Sequence, residues 1–100
     1  MGIIQYAGEN LDTLTKNGTV IFDFYADWCG PCKMIGPMLE ELSKENSDLT
    51  VVKINVDEHE KIAQQFGVMS IPTLVLFKNS KMLDKKVGFQ SKEFLEDWIR

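Results

Sequence analysis

No apolar run in this chain approaches the ~18 residues that a membrane-spanning helix needs, which excludes such a span. The longest apolar stretches are residues 20–22 and 74–77. Positive charge is short as well. Fifteen acidic against eleven basic residues leave a net charge of −4, which excludes a nucleic-acid binder that works by neutralising phosphates. Neither G-x-G-x-x-G nor a P-loop pattern occurs, so no bound nucleotide is expected, and no other cofactor is called for. The opening Met1-Gly2-Ile3-Ile4-Gln5-Tyr6 has neither the basic stretch nor the apolar core of a secretory signal, and a cytoplasmic location is expected. Linkers, repeats and low-complexity tracts are missing too, so residues 1–100 are taken as one domain. Histidine occurs once and cysteine twice, at Cys29 and Cys32.

What is there alternates between α and β patterns. Residues 3–6 form a short strand. Asn10 caps a helix reaching about Lys16 that turns Leu11 and Leu14 to the core, and Asn17-Gly18 ends it. Residues 20–25 are β-branched, aromatic and nearly all apolar, the pattern of a central strand buried on both faces. A helix over 31–46 follows, with Ile35, Met38, Leu39 and Leu42 at helical spacing. Pro37 is expected to kink it, and Met34 and Met38 are assigned to core packing. Residues 50–56 read as a second buried strand. Asp57 and Glu60 have the spacing of a capping box for a helix carrying Ile62, Ala63 and Phe66, which Gly67 closes. His59 receives a packing or solvated role.

Residues 73–77 and 82–87 make an antiparallel pair, because the four residues between them cannot form a parallel crossover. Lys85 and Lys86 suit a sheet edge guarded by charge. Ser91 caps a last helix with Phe94, Leu95, Trp98 and Ile99 on one face. The resulting order, βαβαβαββα, fits an α/β three-layer sandwich: a central mixed five-stranded sheet, four helices and right-handed crossovers.

The chemistry is carried by the step from Tyr25 to Lys33. It leaves the C-terminal end of a central strand, where sites form in open α/β sheets. Pro31 suits the first turn of a helix. Cys29 then meets free backbone donors and the positive end of the helix dipole, and both stabilise a thiolate. Cys32 lies one turn further on, within reach of a disulfide. Unequal exposure is expected to make Cys29 the attacking sulfur and Cys32 the resolving one. A structural disulfide would gain little from closing so small a loop. A zinc site needs four ligands, so two cysteines serve only if the metal bridges two chains.

Trp28-Cys29-Gly30-Pro31-Cys32-Lys33 resembles the active-site motif of the thioredoxin family. Phe22-Asp23-Phe24, Pro37, Lys53-Ile54-Asn55-Val56-Asp57, Ile71-Pro72-Thr73 and Val87-Gly88 extend the resemblance over almost the whole chain. It implies the thioredoxin fold and a protein-disulfide oxidoreductase, monomeric and free of cofactor. It also implies disulfide-containing protein substrates and re-reduction by a flavin-dependent, NADPH-driven reductase. Asp23, a carboxylate within an apolar strand, would take the proton from Cys32; the alternative is a buried acid paired with Lys53. Lys53 either adjusts that carboxylate or is a lysine snorkelling from a strand edge. The Ile71–Pro72 bond would be cis, its loop against the cysteines, with the Ile71 backbone pairing an extended substrate segment. Trp28, Gly30, Pro31, Met69, Ser70, Gly88 and Phe89 would complete an apolar docking surface, Phe89 being equally readable as packing.

Two departures stand out: Tyr25 where the family commonly has Trp, and Ser80 where an Asn-Gly turn is usual. Neither touches the redox pair. An oxidase or isomerase of the same fold, a domain of a larger protein, and a docking subunit with incidental redox activity are the alternatives.

Overall fold

The computed structural model describes residues 2–100. Its elements are β1 (Gly2–Gln5), α1 (Leu11–Thr15), β2 (Thr19–Tyr25), α2 (Gly30–Glu45), β3 (Leu49–Asn55), α3 (Glu60–Gln65), β4 (Thr73–Lys78), β5 (Lys81–Val87) and α4 (Lys92–Trp98). The strands form a five-stranded sheet in the order β1-β3-β2-β4-β5. β1, β3 and β2 are parallel, while β4 runs antiparallel to both β2 and β5. This is the mixed sheet that the pattern of elements predicts.

The apolar character of β2 on both faces follows from its place between two helical layers. Ile21 packs with Ile35, Leu39 and Leu42 of α2 and with Leu95 and Ile99 near the chain's end. Val20, Phe22 and Phe24 point the other way, into a cluster with Ile62 and Ala63 of α3, against which Leu11 and Leu14 of α1 also pack. The sheet is therefore the middle layer, with α2 and α4 on one face and α1 and α3 on the other. α2 runs unbroken through Pro37. Asn10 and Ser91 cap α1 and α4 as expected, accepting from Asp12 N and Phe94 N at 2.8 and 3.1 Å.

Topology gathers the site at one edge of the sheet. Parallel β2 and β3 both end there. Antiparallel β4 begins there, with Thr73 opposite Phe24, and β5 returns to it, with Val87 opposite Thr73. The segments after β2, after β3, before β4 and after β5 thus converge, although they come from all over the chain.

Two local expectations are corrected. Asp57 does not cap α3: His59 is the N-cap residue and makes no side-chain capping bond. The β3 exit is organised by Asn55, whose Oδ1 accepts from the backbone N–H groups of Asp57 and Glu58 at 2.9 and 3.3 Å. That Asx turn shapes the chain ahead of α3, and the Asp57 carboxylate is turned elsewhere. Met34 is not core but 59% exposed. Helical spacing assigns a face, and α2 covers the sheet with Ile35, Leu39 and Leu42 instead. His59 does pack, edge-on against Tyr6 at 4.8 Å between ring centroids.

Candidate active site

Cys29 is the N-cap residue of α2, and Pro31 occupies the first turn. Its Sγ accepts the Cys32 backbone N–H at 3.2 Å, one of the donors that every helix start leaves over. Cys29 and Cys32 are joined in a disulfide, with their Cα atoms 5.3 Å apart. The helix thus presents both sulfurs from one turn, with the dipole's positive end behind Cys29.

Burial does not separate the two cysteine residues as expected. Cys29 is 4% and Cys32 5% exposed. What distinguishes them is their neighbours. Cys29 Sγ lies 3.8 Å from the carbonyl oxygen of Ile71 in the loop before β4. The Ile71–Pro72 peptide bond is cis. Cys32 instead lines a cleft of about 490 Å³ with Tyr25, Gly36, Glu40 and Lys53.

Asp23 is the register partner of Lys53, which lines this cleft. It occupies the face of β2 that Ile21 gives to α2, one position along the two-residue alternation of a strand. It is 1% exposed, and its Oδ1 finds no hydrogen-bond partner. Burial pushes its carboxyl up from 3.8 to about 6, and the charge of Lys53, opposite it on β3, opposes part of that rise. No ion pair joins the two among the described residues. Lys53 is half-buried, and its Nζ lies over the Tyr25 ring instead, 4.8 Å from the centroid.

Around Cys29 the surface is apolar and open. Trp28 is 70% and Met69 95% exposed, and with Val56, Val68, Ser70 and Ile71 they line a second cleft of about 320 Å³. Gly30 and Pro31 are exposed at the start of α2, while Pro72 is buried. β5 brings Gly88 and Phe89 to the same edge, where Gly88 N donates to Pro72 O at 2.8 Å and Phe89 is partly exposed. Neither of those two lines the cleft beside Trp28.

Asp57 is a site residue that the sequence reading placed in a cap. Its Oδ2 accepts the Trp28 indole N–H at 2.9 Å, fixing the ring over the approach to the cysteines. The available signal was positional. Asp57 follows β3, and a strand paired in parallel with β2 must end beside Trp28.

A family model described as Thioredoxin matches residues 3–100. Over 100 residues the chain is 46% identical to the thioredoxin of Bacillus subtilis, covering 99% of this chain and 96% of that protein. It is 49% identical over 89 residues to the thioredoxin of Rickettsia typhi, covering 88% and 85% of the two chains. The solved structure of a mutant thioredoxin from Halobacterium salinarum superposes with a TM-score of 0.90 at 43% identity, covering 98% of this chain and 88% of that one. With the Cys29–Cys32 pair at the start of α2 and a sheet of this order around it, the chain belongs to the thioredoxin family and is a protein-disulfide oxidoreductase that works as a disulfide reductase.

Proposed function

We propose that Cys29 is the nucleophile and Cys32 the resolving thiol of this reductase. The observation carrying the assignment is the contrast in surroundings: Cys29 lies against the Ile71 carbonyl and follows Trp28, both residues of the open apolar cleft, while Cys32 lines the other cleft together with Lys53, the register partner of Asp23. In the reduced protein the Cys29 thiolate, favoured by the α2 amides, attacks one sulfur of a substrate disulfide and expels the other as thiolate. Cys32 then attacks Cys29 Sγ in the mixed disulfide. Its proton passes to Asp23, and the substrate leaves as a dithiol once that proton and one from solvent have reached its two thiolates. Two electrons have moved, and the chain is left in its disulfide form.

Asp23 suits this role because its midpoint near 6 lets it accept a proton close to neutrality. Lys53 adjusts that affinity. Trp28, Gly30, Pro31, Met69, Ser70, Gly88 and Phe89 form the docking surface, and the Ile71 backbone beside Pro72 pairs an extended substrate segment. The chain acts as a monomeric single domain in the cytoplasm, on disulfide-containing proteins, and an NADPH-dependent reductase returns it to the dithiol. Among the described residues no helix is long and apolar enough to cross a membrane.

Trapping tests the assignment. Cys32→Ser should accumulate a mixed disulfide to Cys29 with a disulfide-containing protein, and Cys29→Ser should accumulate none. A stable adduct on Cys32 in the Cys29→Ser protein would reverse the roles. The reduction potential of the pair tests the direction: a value more oxidising than the glutathione pool would point to an oxidase or isomerase.

A further inference from the structure

The cleft beside Cys32 holds a contact that the exchange chemistry leaves unused. Lys53 Nζ lies over the face of Tyr25, 4.8 Å from the ring centroid. The ring is itself tethered. Gln5 Nε2, on β1, donates to the Tyr25 hydroxyl at 2.9 Å and to the Lys53 carbonyl at 3.3 Å, so one side chain ties both partners together. On the α2 side the ammonium lies next to Gly36, where a Cβ would stand 3.8 Å from Nζ, at ordinary van der Waals contact. Lys53 is the register partner of Asp23 on the same face of the sheet, and its four-carbon stem is long enough to reach that carboxylate. Even so, Asp23 makes no ion pair among the described residues, and its Oδ1 has no hydrogen-bond partner.

We propose that Tyr25, held by Gln5, is a positioning residue for the reductase: its ring seats the Lys53 ammonium away from Asp23, so the carboxylate stays unpaired and free to take the Cys32 proton. The ring's negative face attracts the ammonium, and the half-buried cleft strengthens that attraction over its value in open water. A directly paired Asp23 would hold its charge to lower pH and would be a weaker base. The other groups facing this space are Cys32, Lys33 and Glu40 of α2 and Asp27 beyond β2. On β4 the register partner of Asp23 is Leu74, which carries no charge.

The inference rests on Asp23 as the proton acceptor, and the test separates the two. The Asp23 carboxyl would be titrated by carbon-13 NMR in the full oxidised chain. Tyr25→Leu should lower its midpoint by about one pH unit or more, as expected when an opposite charge moves to within ~4–6 Å. Tyr25→Phe keeps the ring and should keep most of the wild-type midpoint. In a Lys53→Met background, with no ammonium left to redirect, Tyr25→Leu should leave the midpoint unchanged. No fall in the wild-type background, or an equal fall in both backgrounds, would overturn the proposal. If Tyr25→Leu does not fold, Gln5→Ala should give a smaller shift of the same sign, and its absence would count against the proposal equally. The pH dependence of mixed-disulfide resolution, followed in the same variants, then judges Asp23. A rate profile that ignores a shifted midpoint would leave the positioning standing and remove the proton-acceptor role.

Discussion

The proton-accepting role proposed for Asp23 sets a cost in stability against it within one side chain. Burial raises its carboxyl from 3.8 to about 6, so the unfolded chain releases this proton at lower pH than the folded one. Between those values the unfolded state binds fewer protons, and stability falls as pH rises through the window. Above about 6 the folded protein bears the whole penalty, roughly 3 kcal/mol for a shift of this size. Asp23→Asn, isosteric with the protonated acid, should therefore stabilise the fold at pH 7 by up to that amount and not at all below about pH 3.5. It should also slow the resolution of the mixed disulfide. Urea unfolding at both pH values checks the first statement, and a gain independent of pH would contradict it. The strand pattern exposed Asp23 as an anomaly because a lone carboxylate in an apolar run is visible without coordinates. Its lack of an ion pair with Lys53 was not visible, since strand register says nothing of where a long side chain comes to rest.

At the scale of elements, the β4–β5 hairpin shows local preference yielding to tertiary contact. Asn79 and Ser80 both adopt the left-handed region, at φ 48° and 77°. The turn suits a right-twisted pair of strands and normally takes Asn-Gly. Ser80 is held there because Asn79 N donates to Gly18 O and Ser80 N to Thr15 O, at 3.0 and 2.9 Å. Ser80→Gly should relieve the strain and stabilise the protein by about 0.5–1 kcal/mol, after allowing for glycine's larger unfolded-state entropy. Chemical denaturation of the variant measures it, and a loss of stability would mean that the serine side chain contributes more than its backbone conformation costs. The helix caps at Asn10 and Ser91 were legible because a cap is a local event. The cap assigned to Asp57 failed for the same reason turned round. D-x-x-E is a local spacing, and a tertiary partner, the Trp28 indole, took the carboxylate. The ion-pair bridge from Lys92 of α4 to Glu41 and Glu45 of α2 likewise joins elements that no local pattern connects.

For the molecule as a whole, the redox state is also a stability term. The Cys29–Cys32 bridge closes a loop with a sequence separation of 3, so it restricts the unfolded chain only modestly. Chain-entropy reasoning puts the effect at about 2 kcal/mol in favour of the oxidised protein. Guanidinium unfolding with and without reductant should show that difference, and coincident midpoints would refute it. The folded core, for its part, does not depend on the bridge. Two apolar clusters, one on each face of the sheet, contain most of the large buried side chains. A pair that must open and close in every turnover is thus placed where its loss leaves the fold standing.

The sequence by itself determined the element order, the double-sided burial of β2 and β3, the hairpin, two of the caps and the chemistry of the cysteine pair. Each rests on interactions between residues near in sequence, or on hydrophobic period, which a linear pattern records directly. The tertiary structure alone decided which groups meet at the converging edge of the sheet. Cys29 beside the Ile71 carbonyl, Trp28 on Asp57, and Lys53 over Tyr25 are contacts between residues 28 to 42 positions apart, on the order of magnitude of whole βα units. Their geometry depends on strand order and register, and on which way a flexible side chain leans once its neighbours are packed. For the same reason the two cysteines, which the motif ranked by exposure, proved similarly buried as residues and distinct in what surrounds them.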